Sequence, residues 1–351
     1  CLMVFLTVCT SCSKEELYEP IPAEKPKSTN FQALRPTLHI IMEGENKKFD
    51  RLLPNKTVVF KNQIWCFTEK AIRGTSALTY VNQLWSSLDG VNFSLRNSST
   101  LPTGFGRTLA AFDNKLWLIG DNARSGLWYS ENGKEWIQVN TILPFRNSYG
   151  GAGIVFKGKM FVFERNRNGN RRVFSSTNGR FWRLENSNAF STYETGIPIV
   201  FNNAIYYIVG RNYHSSIPGD NHDIYKSTNG SDWSRLNRGL VPFPNTNLFG
   251  GRNWSGMVAY EDKMWIIGGS TVDGLPQDSE IWHSTDMIRW TKYQGTVPFD
   301  WMRDHTAISF RDKIFLMGGY KKSLPGTDYY SGAPSKEIWS IRPKRGLELY
   351  R

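Results

Sequence analysis

One ten-residue phrase recurs six times along this 351-residue chain, and it constrains the fold more than any other feature. The copies are VVFKNQIWCF from Val58, AAFDNKLWLI from Ala110, IVFKGKMFVF from Ile154, IVFNNAIYYI from Ile199, VAYEDKMWII from Val258 and ISFRDKIFLM from Ile308. Each reads as a short apolar strand, two polar turn residues and a second apolar strand. A hairpin of this kind cannot bury its own apolar face. Six of them must therefore pack on one another, as a ring or a stack. No long 3.6-residue apolar stripe competes with this reading.

A second phrase follows each hairpin, an apolar–aromatic pair on another short strand: Leu84-Trp85, Leu127-Trp128, Val173-Phe174, Ile224-Tyr225, Ile281-Trp282 and Ile338-Trp339. In the first five copies a tight turn and a further aromatic come next: SLDGVNF from Ser87, SENGKEW from Ser130, STNGRFW from Ser176, STNGSDW from Ser227 and STDMIRW from Ser284. Asp-Gly and Asn-Gly here predict two-residue hairpins with positive φ at both central positions. The fifth copy, with Asp286-Met287, departs from that chemistry. Four strands per unit and a period of roughly 40–50 residues describe β-propeller blades. The expected fold is all-β, a six-bladed propeller of four-stranded antiparallel blades over residues 36–351. The 13 Trp residues would fill the spaces between blades.

Apolar–aromatic strands ending in Gly268-Gly269 and Gly318-Gly319, with a Trp on a later strand, resemble kelch-type repeats, including the galactose oxidase central domain. The resemblance runs from about Asn55 to the C-terminus. The doublet shrinks to Gly120 and Gly210 in units two and four and is missing in units one and three. The Ser-x-Asp/Asn-Gly-x-x-Trp turn is similar to the Asp-box of sialidases, one residue short. The sixth unit has no Trp-bearing last strand. Either Thr37–Ile41 or Leu347–Tyr350 closes the ring. The N-terminal segment is preferred, because such a clasp ties the chain ends together and removes an exposed edge.

Residues 1–12 resemble the end of a bacterial lipoprotein signal lacking its charged start: an apolar run from Leu2 to Val8, small residues Thr10 and Ser11, then Cys12 as the acylated residue. Cys9 stands where lipoboxes carry Leu. Ser13-Lys14-Glu15-Glu16 is similar to the signal that exports Bacteroidota lipoproteins to the outside of the outer membrane. Residues 13–35, with Pro20, Pro22 and Pro26, have the composition of a solvated tether. The expected protein is a monomeric, outward-facing outer-membrane lipoprotein, held to the membrane by its lipid alone. If residues 1–12 are processed, Cys66 is the one cysteine left in the body, so no disulfide framework is expected.

A net charge of +12 favours acidic partners. The basic residues are spread over loops and form no nucleic-acid-binding module, so no nucleic acid is expected. In a propeller, the segments leading into each first strand share one rim with the loops between second and third strands, and loops on a rigid scaffold are where function sits. That rim gathers Arg107, Tyr149, Tyr193, Arg252, Trp254, Trp301 and Arg303 as candidate ligand-binding residues. Aromatic faces with guanidinium forks suit a glycan, including one bearing a carboxylate or sulfate. A protein of the envelope or its surroundings is the other expected ligand. Catalytic candidates are Glu194, Arg303 and His305, which with Tyr193 supply the residue types of a sialidase-like or N-acetylneuraminate epimerase-like enzyme on acidic sugars. The binding reading is preferred over the enzymatic one. The five His residues show no metal-ligand spacing, which speaks against a copper-radical oxidase, and no metal or cofactor is expected.

Overall fold

The computed structural model describes residues 38–46, 52, 56–73, 78–98, 101, 106–120, 126–139, 142–145, 152–166, 168–191, 196–209, 223–237, 255–269, 279–300, 302–321 and 334–343. The chain divides into two units, Cys1–Arg35 and Pro36–Arg351, and every described residue belongs to the second. Among the described residues there is no helix.

The chain opens with β1 (Leu38–Glu45). Blade 1 follows as β2 (Thr57–Phe60), β3 (Gln63–Arg73), β4 (Leu78–Ser87) and β5 (Phe93–Asn97). Blade 2 is β6 (Gly106–Phe112), β7 (Lys115–Gly120), β8 (Leu127–Ser130) and β9 (Ile137–Gln138). Blade 3 is β10 (Ala152–Phe156), β11 (Lys159–Arg165), β12 (Asn170–Ser176) and β13 (Arg183–Ser191). Blade 4 is β14 (Gly196–Phe201), β15 (Ala204–Val209), β16 (Ile224–Ser227) and β17 (Ser234–Asn237). Blade 5 is β18 (Gly256–Tyr260), β19 (Lys263–Ile267), β20 (Ile281–Ser284) and β21 (Thr291–Lys292). After a two-residue strand, β22 (Met302–Arg303), blade 6 supplies β23 (Thr306–Phe310), β24 (Lys313–Met317) and β26 (Glu337–Pro343), with the short β25 (Tyr320–Lys321) between the last two.

Six four-stranded antiparallel sheets result, and β22 with β25 forms a small ribbon on the sixth. The sixth sheet has the order β1-β26-β24-β23, so its outer strand comes from the N-terminal side of the chain. The closing register runs from Leu38↔Pro343 to Glu45↔Glu337, with a bulge between Met42 and Gly44. This is the clasp preferred from sequence, extended to eight residues. The inner strands β2, β6, β10, β14, β18 and β23 contact one another in succession, and β2 also meets β23. The ring is therefore closed, and the protein is a six-bladed β-propeller.

The core lies between blades. Six apolar clusters each draw on two neighbouring sheets. Blades 1 and 2, for example, share Trp65, Phe67, Leu84, Leu109, Leu116 and Leu118. Strand β15 is buried at all six positions because both of its faces are covered, which explains its unbroken apolar run Ala204–Val209.

The repeated aromatic of the second strand meets the outer turn of the next blade in four blades. A Cβ on Gly133 would lie 2.2 Å from the Trp65 ring, on Gly179 2.4 Å from Trp117, and on Gly230 2.1 Å from Phe161. On Gly90 it would lie 2.7 Å from Phe315, which carries the same contact across the closure. Glycine is needed there twice over, for the close approach and for a positive φ of 75–85°. The inner turns add hydrogen bonds in the same direction: Lys61 Nζ donates to Glu131 O at 2.9 Å and Lys157 Nζ to Thr228 O at 3.0 Å.

The turn chemistry differs from the sequence expectation. Two-residue turns with positive φ at both positions occur between first and second strands, at Lys61-Asn62, Asp113-Asn114, Lys157-Gly158 and Asn202-Asn203. The Asp-Gly and Asn-Gly turns are wider loops in which only the glycine has positive φ. Side chains hold them. Ser87 Oγ accepts from Gly90 N at 2.9 Å, while Asp89 Oδ1 accepts from Val91 N at 2.8 Å and Asn92 N at 2.7 Å. Asn132, Asn178, Asn229 and Asp286 repeat the arrangement. Satisfying the backbone through the side chain frees the acidic residue from the left-handed region. Met287 keeps the glycine's positive φ of 66° and is buried in the cluster that contains Tyr206, so the fifth turn preserves the geometry without the glycine.

Gly179→Ala forces a side chain into the Trp117 ring at a left-handed position. It is expected to lower unfolding free energy by about 2–4 kcal/mol, measured as a reduced urea midpoint at unchanged m-value. A midpoint within error of the native protein would show that this contact does not hold the blades together.

Candidate functional site

First strands begin, second strands finish and third strands begin at one end of the disc, and this end is the rim. Several described rim residues are charged, and their charges are tied to one another. A unit repeats in the last three blades, built on an acid two residues ahead of the third-strand aromatic. In blade 4, Asp223 accepts from Tyr225 Oη at 3.0 Å and from Arg235 Nε at 2.7 Å. In blade 5, Glu280 accepts from Trp282 Nε1 at 2.9 Å and Lys292 Nζ at 2.5 Å. In blade 6, Glu337 accepts from Trp339 Nε1 at 2.8 Å and pairs with Lys321. Each carboxylate thus spends one oxygen on an aromatic donor and one on a cation, the arrangement that offsets the cost of desolvating it. The signal was present in the sequence as Asp223-Ile-Tyr225, Glu280-Ile-Trp282 and Glu337-Ile-Trp339, and sequence reasoning missed it.

Blade 3 contributes Glu164, buried, which accepts from Arg172 Nε at 2.6 Å. Beside it Arg171 is fully buried, its guanidinium 5.5 Å from the centre of the Tyr207 ring. Tyr207 Oη in turn accepts from Gly196 N at 3.0 Å.

Of the residues selected from sequence, Arg303 and His305 are described in full. Arg303 ends β22, where the ribbon with β25 lifts from the blade. Its Nη1 donates to Asp304 Oδ2 at 2.6 Å, and its guanidinium lies 4.9 Å from the centre of the Tyr320 ring. The residue is only 6% exposed. Asp304 takes a φ of 55°, tolerable for a short polar side chain, and this turn brings its carboxylate back onto Arg303. Gly319 seats the turn: a Cβ there would lie 2.3 Å from Arg303 O and 2.6 Å from His305 N.

His305 is fully buried beneath this pair, against Gly256 and Gly268, and neither ring nitrogen has a partner in normal hydrogen-bond geometry. Burial pushes its pKa down to about 4, opposed only in part by the nearby Ile267 backbone. The imidazole is therefore neutral at pH 7 and closed to solvent, and in this geometry it packs. Of Arg107 only the position on β6 is described. Tyr149, Tyr193, Glu194, Arg252, Trp254 and Trp301 lie outside the described residues, as does Cys12. The structure thus brings together Arg303, Asp304, Tyr320 and His305.

Among the described residues no group of three His, Cys, Asp or Glu side chains could hold a metal ion. Cys66 is buried, with its thiol pKa pushed up to about 12 by desolvation, so it is a packing residue at neutral pH. What the rim offers chemically is a paired carboxylate and guanidinium beside an aromatic face. That set can accept from and donate to hydroxyl groups while a ring covers an apolar surface.

No family model matches the chain. A stretch of 100 residues is 28% identical to the putative protein tag-53 of Caenorhabditis elegans, covering 27% of this chain and 7% of that protein. Solved structures match far more of the chain, at low identity. YjhT superposes with a TM-score of 0.56 at 11% identity, over 86% of this chain and 99% of its own. A Dyadobacter fermentans protein of unknown function gives 0.55 at 11%, over 88% and 99%. The α-L-arabinofuranosidase Arb93A of Fusarium graminearum, solved in complex with an iminosugar inhibitor, gives 0.54 at 12%, over 88% and 97%. At such identities these likenesses show the fold alone.

His305 makes stability fall in acid. The unfolded imidazole binds its proton near pH 6.5 and the folded one only near pH 4, so stability present at pH 7 is lost progressively across that window. The loss attributable to this residue is about 3 kcal/mol at its full extent. Urea unfolding at pH 7 and pH 4.5 should show a smaller acid-induced decrease in His305→Gln than in the native chain. Equal decreases would mean that the imidazole is not buried neutral.

Proposed function

We propose that the propeller is a ligand-binding module whose rim takes a glycan, through the site centred on Arg303, Asp304 and Tyr320. The observation that carries this reading is the Arg303 guanidinium laid over the Tyr320 ring and fixed by Asp304. Two charges held by each other and by a rigid ribbon lose little freedom on binding. A sugar's hydroxyls would address the pair, and its C–H face the aromatic rings of the rim. Support of a second kind comes from Arb93A, a propeller of similar fold in complex with an iminosugar. Assignment to the kelch-type propellers rests on the sequence resemblance and is part of the proposal.

The same neighbour is a glycosidase, which supports a second reading, a hydrolase acting on acidic or neutral sugars through the same rim. Turnover of a sialylated or arabinofuranosyl substrate would select it. A glycan array with purified protein tests the binding reading. Retention of at least one glycan class is expected, weakened about tenfold or more in Tyr320→Ala, in line with the loss of one central aromatic contact. No retention of any acidic or neutral glycan would remove the carbohydrate assignment.

We further propose that the protein is a surface-exposed outer-membrane lipoprotein acylated at Cys12. The support is the lipobox-like run and the charged sequence after Cys12, which are sequence features. Palmitate labelling in a bacterial host should mark the native chain and not Cys12→Ala. Equal labelling of both would remove the anchor.

A further inference from the structure

We propose that the face of the disc opposite the rim docks on a lipid bilayer, leaving the rim pointed away from it. The proposal deepens the lipid-anchor reading and rests on it for the identity of the docking surface. Strand direction carries the first part. In blade 6, β26 runs from the rim at Glu337 to the turn face at Pro343, and Leu38 pairs with Pro343. Arg342 confirms the placement, because it pairs with Asp312 of an inner turn on that face. The chain preceding β1 therefore joins the body at the turn face. Twenty-five residues lie between Cys12 and Leu38. An acyl group so near in sequence would present the body to the bilayer at an effective concentration on the order of millimolar.

Side chains carry the second part. Three outer turns on this face present large apolar residues to solvent: Leu88 in blade 1 at 59% exposure, Phe181 in blade 3 at 78% and Ile288 in blade 5 at 52%. They stand on alternate blades around the ring, with polar turns between them. Three separate tips do not make the contiguous apolar centre of a protein interface. A fluid bilayer interface admits each tip on its own. The most exposed tip, Phe181, follows Arg180 and stands two residues before Arg183, which pairs with Glu185 at 3.7 Å while its own side chain stays 80% exposed. Arg289 follows Ile288. Aromatic and apolar tips flanked by guanidinium groups suit the depth of anionic headgroups. Several acids on this face are engaged within the protein: Asp89 and Asp286 accept backbone amides, and Asp113, Asp262 and Asp312 pair with Lys115, Lys263 and Arg342, while the exposed Glu131, Glu135 and Asp232 of the outer turns of blades 2 and 4 meet Lys115, Asn132 and Asn229, and Glu261 is exposed on the inner turn of blade 5.

The test uses the full chain carrying Cys12→Ser, so that no acyl group contributes. It is sedimented with vesicles of phosphatidylcholine, with and without phosphatidylglycerol. Partition onto the anionic vesicles is expected, reduced at least tenfold in the combined Leu88→Ser, Phe181→Ser and Ile288→Ser variant, whose thermal midpoint should match the control. Amide exchange gives a second measurement: bound vesicles should protect the three outer turns and leave Ser335 and Lys336 at the rim unchanged. Absence of partition, equal partition of control and variant, or protection of the rim would each overturn the proposal. Partition without palmitate labelling of Cys12 would uphold the docking face and reject the anchor. Labelling without partition would do the reverse. Glycan retention by the triple variant should equal that of the control, which separates this face from the rim site.

Discussion

Everything in this fold depends on one packing constraint: a blade has no core of its own. Each four-stranded sheet is a single layer that carries apolar side chains on both faces. The second-strand aromatic of one blade is therefore covered by the outer turn of the next, as Trp65 is by Gly133 and Trp117 by Gly179. Burial of one ring removes on the order of 150–250 Å² from water. That area is realised only when the neighbour is in place. The contact must consequently recur from blade to blade, and Phe315 against Gly90 carries it across the closure. Strand β1 belongs to the same logic. Without it β26 would present an open edge and blade 6 would leave the Trp265 and Phe299 cluster uncovered.

The rim is arranged by a different rule. Strand ends there leave polar groups at a low-dielectric boundary, where an unpaired charge is costly and a paired one is held in place. Asp223, Glu280 and Glu337 each bind an aromatic donor and a cation, and Arg303 is fixed between Asp304 and Tyr320. These groups are set before any ligand arrives. Rigidity of this kind suits recognition. His305 shows the limit of the same environment: enclosed by glycines and lacking a charged partner, it stays neutral and serves as filling.

The two ends of the disc are chemically distinct. One carries tied charges from several blades. The other carries tight turns, solvent-facing apolar tips and the junction with the N-terminal chain. This polarity follows from the up-and-down order of strands within each blade. It puts all turns of one kind on one face.

The repeat was legible in the sequence because its period is set by local alternation of apolar residues, and six copies of an unsatisfied hairpin have few ways to be buried. The number of blades and the strand order follow from that, whereas the sequence left two candidates for the closing strand and the structure decided for β1. The outer turns were misread because Asp-Gly and Asn-Gly name a turn only when the backbone closes it alone. Here Ser and Asx side chains accept the amides and widen the loop. The rim was legible as a place and not as a constellation. Sequence could bring Arg303 and His305 to one end of the disc. Only the tertiary structure decided that Arg303 is paired by an aspartate in the left-handed region, and that His305 is shut beneath it. Both outcomes depend on how closely the Gly256, Gly268 and Gly319 backbones approach from elements distant in sequence, a distance no local pattern encodes.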